Sequence, residues 1–474
     1  MPEPATAAPG TRERVTTDRR SRSAPETLAL ARTSVAGSAS QTTTWIIVTL
    51  LAVTLVKQLV LVVSYPPFEG HDEVAHYGYV ATLDRERRLP TLADNLPPET
   101  GPYSRFTLDW PALYTANHPP LFYMLALPLY RLARPDVEAR LYAMRLLSVP
   151  LFLLVIWLTW RLALLLFPGD LFLAVTAPAL VAFQPQLSFE GAIVNNDMLS
   201  IVFGAALLYL LAEALRRGLT TERALLIGAV TGVGLLAKAT VTVFIPLAIA
   251  VAVWSAYRNR YGPGRSGWWP DAFRGSLLIC VPALLISLPW YVFVYATYGD
   301  LTVFRSLDLL QSSWGTPAAS LFDLLLSPHF QSERFHEGWG YFGWRLLPLG
   351  SFELAFAWIV SIVAVAGLAV EGWRCWRRRA SGAIDPDLVA ALVMLLACCT
   401  LFYLAMVYFG TRVAFTQMRY VFPAAPAAAL LAASGYRALF ANRWRPAGAT
   451  AVVALALLFQ ILILTRIVMP HAMV

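Results

Sequence analysis

Residues 45–77 read WIIVTLLAVTLVKQLVLVVSYPPFEGHDEVAHY. An apolar run long enough to cross a bilayer stops at Tyr65, and within the next eleven residues come Glu69, His71, Asp72, Glu73 and His76. Ionisable groups at the mouth of a membrane helix are costly to hold, so they mark a reaction or transport site. The rest of the chain repeats the first half of this pattern. It has 474 residues, of which 58% are hydrophobic and 14% charged. Runs of about 20 apolar residues recur, which predicts an all-α integral membrane protein.

The net charge of +8 does not point to nucleic acid. The two lysines, Lys57 and Lys238, lie in apolar segments, and the remaining basic charge is arginine, much of it at helix ends. Cys280, Cys375, Cys398 and Cys399 match no metal or haem spacing and read as small packing residues. Residues 1–44 are rich in Ser, Thr, Ala and Arg, lack apolar periodicity and read as a disordered tail. The domain that follows covers residues 45–470.

Apolar runs cover residues 45–65, 119–130, 141–167, 171–189, 198–215, 224–237, 239–257, 275–296, 351–371, 387–409, 420–438 and 447–468. Arginines cluster around 216–223, 258–274, 374–379 and 437–445, and along the tail before residue 45. The positive-inside rule places all of these in the cytoplasm. They fall on one side together only if the short run at 119–130 does not cross. Its opening, His118-Pro119-Pro120, reads as a helix N-terminus, so residues 119–133 are expected to lie along the outer surface. Eleven spans remain, with the N-terminus inside, the C-terminus outside, and two large outer loops at 66–140 and 297–350. The second loop is aromatic, with Trp314, Phe335, Trp339, Tyr341, Phe342 and Trp344. It suits either stacking on sugar rings or an interfacial belt.

This topology gathers the candidate residues on the outer face. Asp72 and Glu73 suit general-base work on a hydroxyl, although a helix N-cap is the plainer use of an acid there. His71, His76 and His118 suit hydrogen bonding, and with Asp72 they leave room for a divalent cation. Asn195-Asn196-Asp197 reads either as the cap of the next helix or as part of the reacting centre. Lys238, in an apolar context, needs an anion, and a lipid phosphate is the natural one. Arg419, followed by Tyr420, has the fork that grips phosphate bidentately.

The ordered segments PPFEGHDEVAHYGYV (66–80), NHPPLFYMLALPLYRL (117–132), ARLYAMRLLSVPLF (139–152), NNDMLS (195–200), GLLAKATVTVFIPLA (234–248), FGWRLLPL (342–349) and MRYVFPAAPAAALL (418–431) resemble the GT-C superfamily of polytopic glycosyltransferases. The nearest branch looks like bacterial relatives of protein O-mannosyltransferases and of the lipid A aminoarabinose transferase. The resemblance spans about residues 45–440. It implies a helical bundle with juxtamembrane helices in the first outer loop, sited in a bacterial plasma membrane. It also implies a polyprenyl-phosphate sugar donor, a glycan, protein or lipid acceptor, and outer-face transfer with inversion. Asp72 maps to the base, Asp197 to the second acidic motif, and His118 to the HPP motif. The extra His71 and His76 leave Asp72 and Glu73 both open as the base. Competing readings are a flippase of a lipid-linked glycan, a ligase for a preassembled glycan, and a non-catalytic subunit.

Overall fold

The computed structural model describes residues 24–106, 112–260, 267–302, 304, 319–379, 385–413 and 416–472. The chain divides into two units, Met1–Ile46 and Ile47–Val474. The described part of the first is helical from Ala24, ahead of the Trp45 start read from the sequence. Residues 24–44, expected to be disordered, are therefore helical. The rest of that tail lies outside the described residues, as do Arg265 and Trp314.

Among the described residues, eight helices are long and apolar enough to cross a membrane. They are Thr43–Ser64, Val137–Leu166, Asp197–Arg217, Ala239–Arg258, Trp269–Tyr298, Ser351–Arg377, Pro386–Gly410 and Asn442–His471. The first is part of α1 (Ala24–Ser64), and the second and third are α4 and α7. α7 is the central helix: 72% of its apolar window is buried, against half or less for the other seven.

The three remaining expected spans are shorter or broken, so the count of eleven is not settled by helix length. Residues 171–189 form two pieces, α5 (Leu171–Ala182) and α6 (Pro185–Glu190). Residues 224–237 fall in α8 (Thr221–Leu235), and 420–438 divide into a 3₁₀ segment, Met418–Ala424, and a helix, Ala425–Ala438. Each break has a cause and a remedy. Pro185 has no N–H to continue α5. The carbonyl freed at Ala182 accepts from Lys57 Nζ of α1, which also donates to Ser188 Oγ at 2.7 Å. Gln58, one residue on, donates to the Ser188 carbonyl at 3.0 Å. Backbone broken at membrane depth is tolerated only when protein groups take up its hydrogen bonds. Lys57 is thus paired inside the bundle.

The first outer loop carries α2 (Glu73–Glu86), two 3₁₀ turns and α3 (Leu121–Leu132). α2 is buried from Glu73 to Leu83 and packs on α3 through Tyr77, Tyr79, Tyr123 and Tyr130. α3 keeps Met124, Leu125 and Leu132 exposed. It is one apolar-faced helix of 12 residues, the same length as α5.

α7 and the Met418–Ala424 segment touch backbone to side at Gly204, where a Cβ would collide with the Pro423 carbonyl. A residue without a side chain is what lets the strand of chain carrying Arg419 lie against the helix that begins at Asp197.

Candidate active site

Four charged side chains from four separate segments alternate in sign. Asp72 Oδ2 meets Arg419 Nη2 at 2.5 Å. Arg419 Nη1 lies 3.4 Å from Asp197 Oδ2, and Asp197 Oδ1 lies 2.5 Å from Lys238 Nζ. The side chains of Arg419, Asp197 and Lys238 are 6%, 2% and 10% exposed, and that of Asp72 is 14% exposed. Buried charges persist only when paired, and here each cation faces at least one carboxylate. Tyr420 adds a ring 5.3 Å from Lys238 Nζ and 5.6 Å from the Arg419 guanidinium.

Local structure frees these groups for one another. Asp72 holds the N-cap position of α2, yet its side chain caps nothing. Its backbone is left-handed, φ 59° and ψ 13°, a conformation Asp tolerates better than most residues. The carboxylate turns to Arg419 instead. At α7 the cap is supplied by Asn195, whose Oδ1 accepts from Met198 N at 2.9 Å. Asn196 and Asp197 are thereby released towards Lys238. The capping explanation of the NND triplet holds for Asn195 and not for its two neighbours.

Glu73 stands apart from this chain. Its two oxygens take Arg145 Nε at 2.8 Å and Arg145 Nη2 at 2.6 Å. They also accept from the backbone of Val194 at 2.9 Å and of Gly70 at 3.0 Å. The other three Arg145 donors go to the carbonyls of Val62, Tyr65 and Pro66. Every donor of the guanidinium and both carboxylate oxygens are used, at zero exposure. This pair fixes the turn between α1 and α2 on which Asp72 stands. Sequence reasoning missed Arg145, whose place in ARLYAMRLLSVPLF looks like that of a snorkelling helix-end arginine.

Beside the charged chain runs a neutral one. Lys238 has donors only, so its 3.3 Å contact with Asn196 Oδ1 fixes the orientation of that amide. Asn196 Nδ2 therefore donates to His118 Nδ1, at 3.1 Å. Tyr123 Oη lies 3.3 Å from the same nitrogen and 2.9 Å from His76 Nδ1, and so links the two rings. His118 carries its proton on Nε2. Burial pulls His76 down to about 3 and His118 well below the usual imidazole value, so both are neutral.

The second outer loop supplies a clamp that the sequence did not reveal. Glu337, on the helix Pro328–Trp339, accepts from Met418 N at 3.0 Å and pairs with Arg334 at 3.0 Å and with Arg345. Arg334 and Arg345 both donate to the Thr416 carbonyl. Three side chains thus hold the backbone that delivers Arg419. Gly343, Trp344 and Arg345 all have positive φ, 55°, 55° and 64°, a strained run of the kind that clusters at functional sites. Within the aromatic loop, Phe335 is spent on Trp358, with ring centres 3.6 Å apart, and Trp339 on Phe459, while Tyr341 faces an open cleft. That cleft, about 210 Å³, is lined by His71, Gln186, Glu337, Tyr341, Arg345 and Arg419, among others.

Glu190 is a further buried acid, at zero exposure. It accepts from Gln186 and Asn195, each at 3.1 Å. Burial raises it to about 8, with Arg419 acting in the opposite direction. No group of three or more His, Cys, Asp or Glu is placed to hold a metal among the described residues.

The fold so assembled is similar to that of solved multi-pass membrane transferases. Residues 117–286, which carry His118, Asn196, Asp197 and Lys238, match the family described as dolichyl-phosphate-mannose-protein mannosyltransferase. The structure of ArnT from Cupriavidus metallidurans bound to undecaprenyl phosphate superposes with a TM-score of 0.50 at 16% identity, over 91% of this chain and 74% of that one. Its apo state gives 0.49 at 17% identity over the same shares. The oligosaccharyltransferase of Archaeoglobus fulgidus gives 0.46 at 14%, over 90% of this chain and 55% of that one. No curated protein matches the chain.

Proposed function

We propose that this chain moves a sugar from a polyprenyl-phosphate donor to a hydroxyl acceptor at the outer face of a bacterial plasma membrane, with Asp72 as the base. The observation that carries this reading is the placing of Asp72: a carboxylate at a helix start that caps nothing and is held by Arg419, with the Tyr114 hydroxyl beside it. Glu73, one residue on, is consumed by Arg145 and has no lone capacity for an incoming proton.

Among the described residues Arg419 Nε and Nη1 have no hydrogen-bond acceptor, Nη1 keeping only the 3.4 Å ionic contact with Asp197. A donor phosphate entering from the lipid finds these and Lys238, and its negative charge competes with the carboxylates for the guanidinium. Loosened from Arg419, Asp72 takes the proton of an acceptor hydroxyl. The hydroxyl oxygen bonds to the anomeric carbon, the bond from that carbon to the phosphate oxygen breaks, and the electron pair leaves with the phosphate. Lys238 and Arg419 hold the charge that develops there. Attack opposite to departure inverts the anomeric centre. His118 and Asn196 hold Lys238 and Asp197 in register, and Tyr420 screens the two cations from water. The ArnT structure bound to undecaprenyl phosphate supports a lipid-phosphate carrier. The site lies at the starts of α7 and of the span Ala239–Arg258 and just past the end of α1, whereas a transporter would hold its charges near mid-span. Eleven crossings, with the N-terminus inside and the C-terminus outside, give this end of every helix to the same side.

The test is sugar transfer in proteoliposomes from radiolabelled polyprenyl-phosphate sugars to a cell-envelope acceptor. Asp72→Asn is expected to lose about 10²–10⁴-fold in rate per folded molecule, with a lowered melting temperature because Arg419 loses its nearer carboxylate. Full activity in that variant would sink the base assignment, and lipid-linked sugar that crosses the bilayer without transfer would favour the flippase.

A further inference from the structure

His71 belongs to neither hydrogen-bond chain described above, yet its protonation is fixed by the backbone. The Tyr341 N–H donates to Gln186 Oε1 at 2.8 Å, which settles which end of that amide is oxygen. Gln186 Nε2 must then donate, to Glu190 Oε1 at 3.1 Å and towards His71 Nε2 at 3.4 Å. A neutral imidazole that accepts at Nε2 carries its proton on Nδ1. The ring is neutral because burial, ahead of the nearby charges, lowers it to about 3.

The ring is also held in place. Phe189 and Trp344 meet it edge-on, with ring centres 5.1 Å and 6.2 Å away. His71 is 3% exposed, and its Nδ1 is buried with no partner among the described residues. A donor placed this firmly and left unmatched is costly, and in native proteins such an atom usually awaits a ligand or water.

The cleft that His71 lines indicates which ligand. Arg419 and Arg345, which line it, keep guanidinium nitrogens unmatched among the described residues and suit a phosphate. His71, Gln186, Gln417 and Tyr341 are neutral and suit the hydroxyls of the sugar that such a phosphate carries or meets. We propose that His71 donates its Nδ1–H to a hydroxyl or ring oxygen of a sugar seated in this cleft, the sugar being that of the lipid donor or that of a glycan acceptor. The inference rests on the glycosyltransferase reading and adds the substrate contact that selects the sugar.

The experiment uses the full chain in nanodiscs, as wild type, His71→Phe and His71→Asn. The probes are undecaprenyl phosphate alone and the same carrier bearing mannose, glucose or arabinose, with the KM for a cell-envelope acceptor measured alongside. His71→Phe is expected to lose about tenfold in affinity for the tightest glycolipid, or to raise the acceptor KM by about as much, with bare carrier bound as before. The first result assigns the contact to the donor sugar and the second to the acceptor. His71→Asn is expected to recover most of the loss, because its amide nitrogen falls near the position of Nδ1. If His71→Phe keeps both quantities within about twofold, or loses bare carrier equally, the inference is overturned. A wild type that binds no carrier lipid at all is a different result, and it removes the glycosyltransferase reading itself.

Discussion

Replacing Arg145 by methionine removes five N–H donors from the turn beneath Asp72. Two of them hold Glu73, and three hold the carbonyls of Val62, Tyr65 and Pro66. Breaking one side of a buried ion pair costs about 3–5 kcal/mol. Glu73 would keep the N–H groups of Gly70 and Val194, so the lower end applies. Two orphaned carbonyls, those of Val62 and Tyr65, add about 1 kcal/mol each, while Pro66 keeps the N–H of Glu69. The expected loss is about 5 kcal/mol, a large share of the 5–15 kcal/mol typical of a folded protein. Glu73→Gln, which keeps size but loses charge, is expected to cost about half as much. The double variant Glu73→Leu with Arg145→Met removes both charges together and should be more stable than Arg145→Met alone. Denaturation midpoints in nanodiscs, followed by tryptophan fluorescence, measure all three. An Arg145→Met protein within about 1 kcal/mol of wild type, or strict additivity in the double variant, would refute the view that this pair braces the site.

Lys238→Ala leaves Asp197 with only the 3.4 Å contact to Arg419. It should weaken binding of bare polyprenyl phosphate at least tenfold, on the order of a lost charge-assisted hydrogen bond, with Lys238→Arg recovering part; equal binding in both would argue against a phosphate role. Acid should destabilise the fold through His76. Its folded value of about 3 lies below the usual 6.5, so the unfolded chain takes the proton first as pH falls. Stability is complete above about 6.5 and drains away towards about 3, and His76→Asn should flatten the fall in melting temperature between about pH 7 and pH 5. Glu337→Gln releases Met418 N and Arg345 together. Its expected signature is a drop in kcat of about tenfold with carrier affinity little changed, and an unchanged kcat would leave the clamp without a role in placing Arg419.

The helical bundle was legible because hydropathy acts over whole segments. Asp72, His118, Asp197, Lys238 and Arg419 stood out because a charge or imidazole beside an apolar run is expensive wherever it occurs. The structure brings all five together. Arg145 and Glu337 were not legible, since a paired and an unpaired arginine or glutamate look alike in one dimension, and their partners lie 72 and 81 residues away. The break between α5 and α6 was hidden for a similar reason. A proline in an apolar run predicts a kink, but whether the run survives as two helices depends on Lys57 and Gln58, which come from another span. The choice between Asp72 and Glu73 turned on side-chain direction alone.

Three adjacent positions, Asn195, Asn196 and Asp197, turn out to serve three unrelated masters. The first answers to backbone geometry and can drift among serine, threonine and aspartate, any of which caps a helix. The second answers to an amide that must accept from a lysine and donate to an imidazole, a demand that only another amide meets. The third answers to charge. Sequence change along this triplet is therefore governed by register, and an exchange of Asn196 with Asp197, which leaves composition untouched, breaks the second and third constraints at once.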